Sequence, residues 1–111
     1  MSERILEFTV EKQLLQKKAG CDFSGIVAGS VGYLKAKFHF SNEWDKCAKV
    51  ASFGSPDLDD EWPVLLDEND MCDIPAEVLR CQVFTVTVIG GKKPLYRINT
   101  NKIKVKQEVN E

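Results

Sequence analysis

Four cysteines, a single histidine and two charged blocks are the residues of this 111-residue chain with chemistry to offer. Cys21, Cys47, Cys72 and Cys81 are scattered, and no two form a CxxC. A zinc site wants close ligand pairs, and the lone His39 sits between Phe38 and Phe40, where alternation makes it an outward strand residue. The cysteines are therefore expected to be buried, reduced thiols. One histidine inside an alternating strand has no nucleophile placed beside it by spacing, so no catalytic function is expected and no cofactor is implied.

The charged blocks are more informative. Residues 57–77 hold nine acids (Asp57, Asp59, Asp60, Glu61, Asp67, Glu68, Asp70, Asp73 and Glu77) and no base. Residues 92–106 hold Lys92, Lys93, Arg97, Lys102, Lys104 and Lys106 and no acid. The net charge of −2 conceals this polarity along the chain. "DLDDEW" and "DENDMCD" lack the glycine and the twelfth-position glutamate of a calcium loop, so solvated acidic loops are expected. "IGGKKP" lacks the GxxxxGK[ST] of a phosphate loop and reads as a hairpin. The basic block carries one aromatic, Tyr96, and the chain is acidic overall, which argues against nucleic-acid binding. Trp44 is expected to plug the end of a core. Trp62, beside Asp59, Asp60 and Glu61, reads equally as a core residue and as the aromatic of a protein interface, with Lys102, Lys104 and Lys106 as the opposite charge.

The elements that must position these residues are short and alternating. "VGYLKAKFHF" (31–40) places Leu34, Ala36, Phe38 and Phe40 on one face, the period-two pattern of a half-buried strand. "KCAKVASF" (46–53) is the expected partner, joined to it by a turn at Ser41 and Asn42. "RILEFTV" (4–10), "EWPVLLD" (61–67), "MCDIP" (71–75), "QVFTVTVIGG" (82–91), "PLYRINT" (94–100) and "KIKVKQEV" (102–109) read as further strands. "KQLLQKK" (12–18) reads as a strand or a helical turn, and Pro75 opens a short helical turn near 75–80. Seven to eight short strands separated by Gly, Asn, Asp and Pro predict an all-β, Ig-like antiparallel β-sandwich.

Length and composition agree with one domain spanning 1–111. The chain is 43% hydrophobic and 29% charged, the balance of a folded protein. No apolar run approaches membrane-spanning length, and "MSERILEFTVEK" carries charge where a signal peptide is apolar. No membrane association and no export from the producing cell are expected.

The wording of "FHFSNEWDKCAKVASFG", "WPVLLDENDMCDIPAEVL" and "FTVTVIGGKKPLYRINTNKIKV" resembles a small β-sandwich domain of phage and prophage tail or baseplate proteins from Gram-positive bacteria. The pattern comprises a Ser-x-Glu-Trp-Asp turn (41–45), an Ala-x-Phe strand (51–53), a short apolar strand (64–66), Cys-x-Ile-Pro-x-Glu-Val-Leu (72–79) and Arg-x-x-Thr-Asn (97–101). It covers residues 31–107. The strand before the glycines reads "TVTVIGG" where the family has Gly-Val-x-Gly, and no fibre region follows Glu111. The resemblance implies a stand-alone virion structural protein of the tail, baseplate or head surface. It would be found in the virion, and in the host cytoplasm during assembly. It implies contacts with other virion proteins and with its own copies. The polarised charge suggests acidic and basic segments on separate surfaces, paired head-to-tail between copies. Two other readings remain: a host-directed inhibitor whose acidic segment mimics nucleic acid, and a carbohydrate-binding module using Trp62.

Overall fold

The structure, a computed structural model, describes residues 3–92 and 96–108. Its strands follow the period-two pattern. In β1 (Arg4–Glu11) Leu6, Phe8 and Val10 are buried while Ile5, Glu7 and Thr9 face outward. In β3 (Leu34–Phe40) Leu34, Ala36 and Phe38 are buried. In β7 (Val83–Lys92) Phe84, Val86 and Val88 are buried. The remaining strands are β2 (Leu14–Lys17), β4 (Ala48–Gly54), β5 (Trp62–Leu65), β6 (Met71–Asp73), β8 (Tyr96–Asn99) and β9 (Ile103–Lys106). The expected helical turn is α1 (Ala76–Leu79), with Pro75 just before it accepting bonds from the Val78 and Leu79 amides. The segment read as strand or helical turn at 12–18 is strand β2, which brings the number of strands among the described residues to nine. The tip of the expected hairpin, at Lys93 and Pro94, lies outside the described residues, as does the end of the last expected strand at Val109.

Two sheets face each other across one core, so the fold is an all-β sandwich. One sheet has the order β2-β1-β3-β6; the other runs β5-β4-β7-β8, with β9 pairing β7 beside β8. β7 is long enough to hold both: β8 pairs its residues 89–92 and β9 its residues 83–86. Side chains from both sheets form a single cluster that includes Phe8, Phe38, Phe53, Phe84 and Val105. Phe8 stacks on Phe38 with centroids 5.1 Å apart.

Two expectations about pairing are corrected. Residues 46–53 do not form a hairpin with 31–40; β3 and β4 belong to opposite sheets. The physical reason is Trp44. Between the two strands the chain makes a 3-10 turn at Asn42–Trp44, and the indole is driven wholly into the core. The turn therefore carries the chain across the sandwich instead of folding it back within one sheet. The second correction concerns β1 and β3, which run parallel, with Arg4 opposite Leu34 and Val10 opposite Phe40. The other ladders are antiparallel. A parallel pair needs a long connection; here β2 and residues 18–33 supply it.

Trp44 acts as the expected plug. Its Nε1 donates to the Lys12 carbonyl at 2.7 Å, and its ring lies 5.1 Å from that of Phe40. On the opposite sheet it rests on Gly90, where a Cβ would stand 2.6 Å from the ring. Only a residue without a side chain lets the indole lie flat there.

Two of the free edges, at β2 and β5, are managed locally. Asn101, in the β8–β9 connection, reaches across to β2 and bonds Leu15 on both sides. Its Oδ1 accepts from the Leu15 amide at 2.7 Å, and its Nδ2 donates to the Leu15 carbonyl at 3.2 Å. On β5 the Leu66 amide donates to the Lys49 carbonyl, so residues of even number point their amides at β4. Pro63 therefore has its missing N–H on the open side, where a proline does no harm to the ladder and offers nothing to a foreign strand.

Candidate functional site on the outer face of the five-stranded sheet

The outer face of this sheet collects Asp59, Asp60, Glu61, Lys102, Lys104 and Lys106 from the two charged blocks. Outward positions on β4 and β7 are Val50, Ser52, Thr85, Thr87 and Ile89. The β4–β7 register places Val50 beside Ile89, Ser52 beside Thr87 and Gly54 beside Thr85. β5 adds Pro63 beside Ser52 and Leu65 beside Val50. β9 adds Lys104 beside Thr85 and Lys106 beside Val83.

Glu61 crosses this face. Its Oε1 accepts from the Ser52 hydroxyl at 2.7 Å, and its Oε2 meets Lys102 Nζ at 2.5 Å. Both the lysine and the serine hold the Glu61 carboxyl below its ordinary range, the lysine more strongly. The side chain passes over Gly54, whose Cβ, were there one, would lie 3.3 Å from Glu61 Cγ and 3.2 Å from Thr85 Oγ1. Ser52 and Thr85 are buried as a result. Below this strap, Asp59, Asp60, Glu61, Lys102 and Lys104 line an open cleft of about 260 Å³ with Ser55 and Leu58. Above it lies an apolar end made of Leu65, Pro63, Val50 and Ile89, of which Leu65 is 69% exposed.

The expectation that acidic and basic segments occupy separate surfaces is thus corrected. The sheet order brings β5 and β9 to the two flanks of β4 and β7, and Glu61 and Lys102 pair within one molecule. Other acids of 57–77 are also answered within the chain. Asp70 pairs with Lys49 at 3.2 Å, and Asp73 pairs with Lys35, which Glu3 also approaches. Asp67 accepts from the Asn69 and Met71 amides and so closes its own turn. Among the described residues, Asp59, Asp60, Lys104 and Lys106 form no ion pair.

Of the two readings of Trp62, the structure places it on the core side. It shares the inward side of β5 with Val64, opposite Phe53, and packs half-buried against the core. The outward apolar residue is Leu65, which sequence reasoning missed. The signal was present in the alternation of "WPVL", where Trp62 and Val64 share one side and Pro63 and Leu65 the other.

The remaining chemistry-bearing residues stand apart from this face. His39 is exposed on the other sheet, its Nε2 2.8 Å from Glu7 Oε1, a bond that lowers the Glu7 pKa. All four cysteines are free thiols; Cys72 is the buried one, and desolvation, aided by Asp73 and Asp67, pushes its pKa up to about 12. Among the described residues no group of three or more His, Cys, Asp or Glu is gathered to hold a metal ion, and no helix is long and apolar enough to cross a membrane. Compared with known proteins, the chain matches no protein-family model, no curated protein and no solved structure.

Proposed function

We propose that this protein is a structural component of a phage or prophage virion, in the tail, the baseplate or on the head surface, and that it acts by protein–protein assembly. The observation that carries the reading is the outer face of the five-stranded sheet. It is broad and built from small residues. It presents exposed Leu65 and Pro63 at one end, with unpaired acids on one flank and unpaired lysines on the other. Such a face suits docking on a flat protein surface: its apolar end supplies affinity and the charges set orientation. The edges at β2 and β5 are meanwhile blunted by Asn101 and Pro63, which favours contacts through faces over strand pairing there. The virion setting comes from the resemblance over 31–107.

Two observations favour this reading over the other two. A nucleic-acid mimic needs its acids free and aligned, yet Glu61, Asp70 and Asp73 are each bound to a lysine. A sugar platform needs an exposed aromatic, yet Trp62 turns toward the core. The experiment is proteomics of purified, gradient-banded particles from the source of this sequence, followed by antibody labelling in electron microscopy. The chain is expected in the particles in multiple copies at one location. A particle fraction free of it, from cells that express it, overturns the virion role.

A further inference from the structure

We infer that the outer face of the five-stranded sheet pairs with the same face of a second copy about a two-fold axis parallel to the strands, between β4 and β7. The inference rests on the assembly reading above and specifies the partner and its orientation. The sheet register decides the axis. One row across the face reads Leu65, Val50, Ile89, Asn99; a second, nearer the cleft, reads Gly54, Thr85, Lys104, with Glu61 lying over Gly54 on the β5 side.

A two-fold along the strands lays each row on itself in reverse. Val50 then meets the second copy's Ile89, and the flank of Asp59 and Asp60 meets the second copy's Lys104 and Lys106. Each contact occurs twice, as an isologous interface requires. A two-fold running across the strands would instead set the apolar row on the Glu61–Lys102 row and each acidic flank on the other, which costs both desolvation and repulsion. None of the four groups that would pair forms an ion pair among the described residues.

Aligned face-to-face packing is one of the two ways in which sheets stack. Four strands at about 4.8 Å spacing along the length of β7 give a footprint of roughly 600 Å² per copy. A standard interface buries about 800 Å² per partner, so the pairing falls at the weak, reversible end.

The test is sedimentation equilibrium of the full chain in about 0.05 M and 0.5 M salt, with circular dichroism confirming that each variant is folded. The native chain is expected to reach a dimer and go no further, with a dissociation constant at least about tenfold higher at the upper salt. Ile89→Glu, which sets a carboxylate against the second copy's Val50, should remove the dimer. The charge-reversed chains Asp59→Lys/Asp60→Lys and Lys104→Glu/Lys106→Glu should each be monomeric alone. Mixed in equal amounts, they should form a heterodimer, because both of its flank contacts are then attractive. A native chain that is monomeric at low salt, or a mixture that fails to associate, overturns the pairing. So does association that grows past the dimer, which would mean head-to-tail contact. These outcomes are independent of the particle assay: a monomer found in virions defeats the two-fold and keeps the virion role, whereas a dimer absent from them does the reverse.

Discussion

Replacing Gly90 by alanine should destabilise the domain, and the sign of the effect is the test. A glycine inside a strand ordinarily costs about 0.5–1 kcal/mol relative to alanine, so at an open site Gly→Ala would be a gain. At Gly90 the new Cβ would stand 2.6 Å from Trp44 Cζ3, 2.7 Å from Cε3 and 3.3 Å from Ile98 Cγ2. The indole has nowhere to retreat, since it is wholly buried and its Nε1 is tied to the Lys12 carbonyl. Overpacking of this kind costs about 1–3 kcal/mol. That corresponds to a melting temperature lower by about 4–8 °C for each kcal/mol in a domain of roughly this size. Urea unfolding followed by far-UV circular dichroism measures it. The companion variant is Trp44→Phe, whose smaller ring withdraws from Gly90 and leaves the Lys12 carbonyl unpaired, at a cost of about 1–3 kcal/mol of its own. In that background Gly90→Ala should become neutral or stabilising, giving a coupling of at least about 1 kcal/mol. An alanine that stabilises the native protein, or one that costs the same in both backgrounds, would refute the claim that the indole rests on Gly90.

Asn101→Ala removes both bonds to Leu15 and should cost about 1–2 kcal/mol, with faster hydrogen exchange at the Leu15 amide. Alkylation of the native protein should modify Cys72 last among the four thiols, since it is buried and its pKa is pushed up to about 12, while denaturation should expose all four; equal native rates would contradict its placement. The lowered pKa of Glu61 means that its contribution to stability is present above the ordinary value of 4.5 and is lost as pH falls through the folded value. Glu61→Gln should therefore flatten the acid limb of the stability profile and leave Glu7, also lowered, as one source of what remains; an unchanged limb would show that the strap is not formed in solution.

Local pattern made β3 and β7 readable, because an alternating strand over a core announces its inward face in its own residues. It also made Trp44 readable as a plug. What it did not contain was which strand lies beside which. Residues 31–40 and 46–53 look like a hairpin from their spacing, and only the burial of Trp44 between them sends the second strand to the other sheet. The parallel match of β1 to β3 is likewise a property of the assembled sheet. The candidate site suffered from the same blindness. Asp59, Asp60, Glu61, Lys102 and Lys104 were legible as charged groups, but their convergence on one cleft depends on β5 and β9 flanking β4 and β7. For Trp62 composition leaves core and interface equally open, whereas the parity of "WPVL" turns it inward.

The clamp of Asn101 on Leu15 joins residues 86 positions apart. During synthesis β2 emerges well before the side chain that closes its edge. At about 5–20 residues per second the nascent chain carries that open edge for on the order of ten seconds. Over that interval β2 has charged and polar neighbours, Glu11, Lys12, Gln13, Gln16 and Lys17, as its protection. A slowed or truncated translation product ending before residue 101 would keep the edge open indefinitely. Such fragments are expected to be the aggregation-prone and protease-sensitive species of this protein, even where most of the core has already formed.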